Sequence, residues 1–155
     1  MPRKPRAFAP GGLTHLTACG VDDQPIFRTH LDRVALLVLL RNVSKRIDWQ
    51  ILTWCFMTTH YHLLLAVGRD TSVPRALQRL NSVYAREFNA RHRRTGHVFG
   101  ARYTDTSVGT DFHRHSATAY ILENPVRAGL VNRVEDWPWS GDGTLEPRFL
   151  PRASG

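Results

Sequence analysis

The chain has 155 residues, enough for one domain around one core. Hydrophobic residues make up 42% and charged residues 22%, which excludes a disordered chain. The longest apolar run, "VALLVLL" at 34–40, is far too short for the ~20 residues of a membrane span. Lys plus Arg number 21 against 13 Asp plus Glu, a net charge of +8. Only Lys4 and Lys45 are lysines, so the excess is arginine, the residue that forks onto phosphates and stacks on bases. Such a charge points to a nucleic-acid partner.

Residues 1–12, "MPRKPRAFAPGG", are basic and rich in Pro and Gly and read as a flexible arm. They lack the apolar segment of a signal peptide, so a cytoplasmic, nucleoid-associated location is expected. Two cysteines, Cys19 and Cys55, are too few for a disulfide scaffold and are expected to be small core residues. "LTHLTACG" alternates and predicts a first strand, and "VDDQPIF" is turn material. A helix is expected over 29–46, with Thr29 as N-cap and Leu31, Val34, Leu37 or Val38, and Arg41 at helical spacing. "WQILTWCFM" predicts a strand, "TTH" a turn and "HYHLLLAV" the returning strand.

A second helix opens at Thr71 or Ser72, with Pro74 tolerated in its first turn. Val73, Leu77, Leu80, Tyr84 and Phe88 form its apolar stripe. Beside that stripe run Arg75, Arg79, Ser82, Arg86, Asn89 and Arg93. A loop follows, then a fourth strand near 102–108. Asp111 caps a third helix from Phe112 to about Glu123, which Pro125 in "NPVRAG" is expected to stop. A short helical turn and "EDWPWSG" complete the domain, 13–141, and residues 142–155 read as a loose tail. The order β-α-β-β-α-β, followed by a helix, predicts an α+β fold. The expected form is ferredoxin-like, an antiparallel sheet with helices on one face and the other face free to carry a site.

The chemistry concentrates in "MTTHYHLLLAV" at 57–67. Strand alternation projects His60 and His62 to one side, about 7 Å apart, and turns Tyr61 to the other. Two imidazoles so placed can share a divalent metal. The third helix offers a further ligand in Asn124, with Glu123 as its rival. Tyr120, one helical turn before Asn124, is a phenol that a neighbouring metal could aim at a phosphodiester. Ser116 and Ala117, one turn back, are small enough to admit a sugar-phosphate backbone.

Over roughly 13–141 the chain resembles the REP-associated tyrosine transposases, a branch of the single-tyrosine HUH superfamily. The resemblance rests on "THYHLLL", "GHVFGARY", "AYILENPVRAGLV" and "WPWSG". It implies that His60 and His62 are the HUH histidines, Asn124 the helix-borne metal ligand and Tyr120 the nucleophile. It further implies a divalent metal, Mg2+ or Mn2+, and a ferredoxin-like fold. It implies cleavage of single-stranded DNA beside a hairpin, a REP-like palindrome, by a monomer or homodimer. The product would be a 5′-phosphotyrosine link and a free 3′-OH. The sequence departs from the family pattern at Thr58-Thr59, where Pro-Asn is usual, and at "ACGVDD", where an Arg-Gly-Asn turn is usual.

DNA contacts are expected from Arg75, Arg79 and Arg86 on the second helix, from the 91–94 loop including Arg93 and Arg94, and from Arg3, Lys4 and Arg6 in the arm. Three readings follow: a metal-dependent DNA strand transferase, a hairpin-binding protein of the same fold that does not cut, and a metallohydrolase unrelated to nucleic acid. The joint presence of Tyr120, His60, His62 and Asn124 favours the first.

Overall fold

The computed structural model describes residues 11–69, 73–101, 103–109 and 111–150. Five strands form one antiparallel sheet: β1 (Leu13–Cys19), β2 (Trp49–Phe56), β3 (His60–Val67), β4 (Thr104–Val108) and β5 (Ser140–Asp142), in the order β4-β1-β3-β2-β5. The helices are α1 (His30–Ser44), α2 (Val73–Arg91) and α3 (Asp111–Arg127). This is the expected ferredoxin-like order, with β5 added beside β2. The arm residues Arg3, Lys4 and Arg6, and the expected start of the second helix at Thr71 or Ser72, lie outside the described residues.

Thr29 caps α1 through a reciprocal box: its hydroxyl accepts from the Asp32 amide, and the Asp32 carboxylate accepts from the Thr29 amide. The buried face of α1 is Asp32, Leu36, Leu37 and Leu40, whereas Leu31 and Val38 are exposed. The run is apolar on all sides, so its periodicity cannot choose the inward face. Asp32 is fully buried and accepts from the amides of Arg28 and Thr29, from Arg91 Nε and from His92. It thereby ties the start of α1 to the end of α2.

α2 buries the five residues of its predicted stripe, Val73, Leu77, Leu80, Tyr84 and Phe88. With α1 they form one core against the inner sheet face, which presents Leu16, Ala18, Phe56, Tyr61, Leu63 and Leu65. The Tyr61 hydroxyl donates to Asn81 at 2.6 Å, and the Tyr84 hydroxyl donates to the Ile26 carbonyl. Burial pushes both phenols well above their ordinary range.

At the far end of β1, Gly20 has no room for a side chain, because a Cβ there would lie 2.1 Å from the Gln24 carbonyl oxygen. "GHVFGARY" runs alongside: Val21 N–H donates to Val98, and Gly100 N–H to Cys19. Asp22 and Asp23 take left-handed φ angles of 50° and 55°, uncommon for residues with a side chain. Cys19 is exposed at this strand end, contrary to the expected core position, while Cys55 is buried. At the other edge, Trp139 is buried and its carbonyl accepts from Phe56 N–H; Trp137 Nε1 donates to the Phe56 carbonyl. Where the sequence reads as loose chain, Leu145 is buried in the main core, and its carbonyl accepts from Arg41 Nε at 2.9 Å.

α3 departs from expectation. It continues through Pro125 to Arg127 instead of ending near Glu123. A proline inside a helix removes one N–H bond and crowds the carbonyl four residues back, costing about 3 kcal/mol. Two features offset that here. Ile121 and Pro125 are the buried residues of α3, and Ile121 packs with Cys55, Met57 and Leu64 on the outer sheet face. The C-terminus then closes in a Schellman arrangement: Gly129 sits at φ 73°, Leu130 N–H donates to Pro125, and Gly129 N–H to Val126. The stop signal is the glycine rather than the proline. Among the described residues, no helix is long and apolar enough to cross a membrane.

Candidate active site

The outer face of the sheet is polar where α3 crosses it. β1 and β3 pair so that Thr17 stands opposite His62. Alternation then brings His15, Thr17, His60 and His62 to one face. α3 packs on this face through Ile121, which sets Tyr120 and Asn124 over the same histidines. The His62 ring centroid lies 4.8 Å from that of His60, 5.1 Å from that of His15 and 6.0 Å from that of Tyr120. His15 and Tyr120 are 5.9 Å apart by the same measure. Tyr120 is half exposed, open to a ligand in solvent.

Both nitrogens of His62 are engaged. The Asn124 side-chain N–H donates to His62 Nε2 at 3.0 Å. Nδ1 faces His15 Nε2 at 2.9 Å and Thr17 Oγ1 at 3.1 Å. His60 Nδ1 meets Thr59 Oγ1 at 3.0 Å, so the departure at Thr59 supplies a hydroxyl that orients the first histidine. Burial pulls the pKa of His62 down to about 3, helped by the neighbouring His60, His15 and Arg127. Burial lowers that of His60 too, against the pull of Asp23, and that of His15. All three imidazoles are therefore neutral at physiological pH, the form that ligates metals.

Among the described residues, no three His, Cys, Asp or Glu side chains are gathered closely enough to hold a metal ion. An ion here would depend on His60, His62 and a carboxamide oxygen, and the donor set suits that. A half-turn of the Asn124 amide puts its oxygen where the nitrogen now stands, 3.0 Å from His62 Nε2. In that orientation the carboxamide oxygen and the imidazole nitrogen would both be free to serve as donors to an ion. Glu123, the rival ligand, is exposed and paired with Arg127 at 3.3 Å.

Three residues at the site were not singled out by the sequence reading. His15 and Thr17 carry a signal, since both fall on the outward positions of an alternating strand. Only the β1–β3 register, however, makes them neighbours of His62. Arg127 stacks on Tyr120, its guanidinium carbon 4.3 Å from the ring centroid, and donates to the Tyr120 carbonyl. The reading of Pro125 as a stop hid it.

The arginines expected at DNA divide. Arg75 and Arg86 border a cleft of about 1070 Å³ between α2 and residues 96–101 and 103, with Gln78, Ser82 and Asn89 on its wall. Arg79 lines a separate groove of about 680 Å³ beside Lys45 and Arg46, which Arg75 also borders. Arg93 is exposed at φ 49°. Arg94 braces its own loop by donating to Asn89 and to the His97 carbonyl. Arg91 faces inward onto Asp32.

The chain belongs to the IS200-like transposase family, whose model matches residues 12–124. No curated protein matches it. Among solved structures it is similar to a REP-associated tyrosine transposase bound to a REP hairpin, at 19% identity and a TM-score of 0.73, over 90% of this chain and 82% of the other. It is also similar to a candidate transposase from Deinococcus radiodurans R1, at 18% identity and a TM-score of 0.53, over 79% of this chain and 97% of the other. At these identities the likeness is one of fold.

Proposed function

We propose that this transposase-family protein is a strand transferase of the REP-associated kind, cutting single-stranded DNA next to a hairpin through Tyr120. The observation that carries the reading is the meeting of a half-exposed Tyr120 with the buried His62 and the partly buried His60 and Asn124, in a chain of the IS200-like family. The hairpin partner is inferred from the REP hairpin held by the similarly folded protein.

Tyr120 Oη attacks the scissile phosphorus. The Oη–P bond forms, the P–O3′ bond breaks, and the 3′-oxygen leaves with the electron pair. The phenol proton ends on that oxygen, giving a 3′-OH and a 5′-phosphotyrosine. The exchange is close to balanced in energy and can reverse to rejoin strands without a nucleotide cofactor. A phenol with a pKa near 10 is a weak nucleophile unaided. A divalent ion, Mg2+ or Mn2+, held by His60, His62 and Asn124 would draw charge from the phosphate oxygens and orient the ester. His15 and Thr17 hold the His62 ring, and Thr59 holds that of His60.

The test is incubation with labelled hairpin DNA from the gene's own flanks, with and without divalent metal, on a denaturing gel. A covalent adduct that needs metal is expected. It should vanish in His60→Ala or His62→Ala and weaken less in Asn124→Ala, with hairpin affinity largely kept, because arginines supply the phosphate contacts. Full cleavage by the double histidine variant would overturn the metal assignment. A greater loss in Glu123→Gln than in Asn124→Ala would move the third ligand to Glu123.

A further inference from the structure

We propose that Arg127 is a catalytic residue that binds the non-bridging oxygens of the phosphate Tyr120 attacks. The inference rests on the strand-transfer reading above and adds a role that the reading did not assign.

The placement is built rather than incidental. Arg127 lies seven residues after Tyr120, two helical turns along the same face, and reaches it only because α3 runs unbroken through Pro125. Its guanidinium carbon sits 4.3 Å from the Tyr120 ring centroid, within cation–π range. Two acceptors fix its orientation: the Tyr120 carbonyl and the Glu123 carboxylate, the latter at 3.3 Å. A guanidinium has five N–H donors, so these two contacts leave donors for a ligand. The Arg127 side chain is 44% exposed and Tyr120 50% exposed, so both are open to an approaching strand.

A phosphodiester reacting at Tyr120 Oη must lie beside that ring, and its oxygens gain charge as the fifth bond to phosphorus forms. An oriented, permanently charged fork at that point stabilises the charge. The step is the exchange already written, with Oη–P formed, P–O3′ broken and the proton passed to the 3′-oxygen; Arg127 gives up no atom.

A bland alternative exists. Arg127 could simply pair with Glu123 and favour the helix C-terminus. The two roles part on the charge of the substrate. Compare hairpin DNA carrying an ordinary scissile phosphodiester with the same DNA carrying a neutral methylphosphonate there. For Arg127→Met, adduct formation on the phosphodiester should fall about a hundredfold. On the methylphosphonate it should stay within about threefold of the unsubstituted protein, since that ester carries one negative charge fewer into the transition state and offers a single non-bridging oxygen to the fork. Arg127→Lys should recover part of the loss. Equal losses on both substrates, or no loss on the phosphodiester, would overturn the proposal.

A second measurement needs no cleavage. In Tyr120→Phe, which keeps the ring under Arg127, adding Arg127→Met should weaken binding of the phosphodiester strand several-fold and leave the methylphosphonate strand unchanged. Unchanged affinity for both would count against the contact. If no Tyr120 adduct forms with either DNA, the nucleophile assignment fails while the affinity comparison still decides Arg127.

Discussion

The two faces of one sheet do different work. The inner face is covered by α1 and α2 and presents aromatic and aliphatic side chains to a continuous core. Its large buried polar groups are mostly answered inside the protein: Asp32 by four neighbours, Tyr61 by Asn81, Tyr84 by the Ile26 carbonyl, whereas the buried Trp54 Nε1 has no hydrogen-bond partner among the described residues. The outer face is crossed by α3, which packs on it through a cluster of four buried residues, Cys55, Met57, Leu64 and Ile121, with Trp137 against the same cluster. Its polar groups answer one another and leave Tyr120 half exposed. Packing is concentrated on one side and the proposed chemistry on the other, so substitutions on the two faces should fail in different ways.

The largest expected effect is on the outer face. Tyr120→Phe removes one exposed oxygen and little packing. Adduct formation should drop below detection, while the thermal midpoint and hairpin affinity stay as they were. Peptide mapping of the trapped adduct should place the phosphate on Tyr120. A phosphotyrosine at Tyr103, or an adduct surviving the substitution, would dissolve the division between the faces.

The matching break on the inner face is Asp32→Ala. It strands Arg91, His92 and two backbone amides, and about 3–5 kcal/mol of stability should be lost in urea denaturation. Burial alone would push the Asp32 carboxyl up, but the amides of Arg28 and Thr29 with His92 and Arg91 outweigh it and hold it below its usual range. A depressed carboxyl stabilises the fold above its unfolded value, near 3.9, and that contribution fades as pH falls through the lower folded value. Asp32→Asn should therefore flatten the stability profile below about pH 4. A profile parallel to that of the unsubstituted protein would remove Asp32 from the account.

Ile121→Ala sharpens the comparison, because it thins the outer cluster. About 2–4 kcal/mol should be lost locally. Amide exchange should quicken in α3 and stay slow in α1 and α2, while cleavage falls at least tenfold as Tyr120 and Asn124 lose their fixed height over His62. Uniform acceleration of exchange across all helices would mean the two faces unfold together.

The smallest effect expected is on the α2 arginines. Replacing Arg75 and Arg86 with Gln should lower hairpin affinity for all sequences alike and reduce the salt slope by roughly 0.7 per arginine. Arg79→Gln, facing the other groove, separates the two surfaces. If only Arg79→Gln changes the slope, DNA runs along the α1–α2 groove rather than the cleft.

Much of the inner face is legible in the sequence. The stripe of α2 obeys a 3.6-residue period, Thr29 and Asp32 spell a cap, and alternation assigns Tyr61 and His62 to opposite sides of β3. These are local signals, set by geometry within one element. The element order likewise fixes the split β-α-β sheet, and the motifs around His60, His62, Tyr120 and Asn124 carry the family. The tertiary structure decided what local signals leave open. A helix such as α1, whose middle run 34–40 is apolar on every side, has no preferred side there until it meets a sheet, and Leu31 and Val38 point outward. His15 becomes a neighbour of His62 only through pairing across 47 residues. Whether a proline ends a helix depends on whether burial and a later cap outweigh its cost. Here Ile121, Pro125 and Gly129 tip that balance and carry Arg127 to the tyrosine.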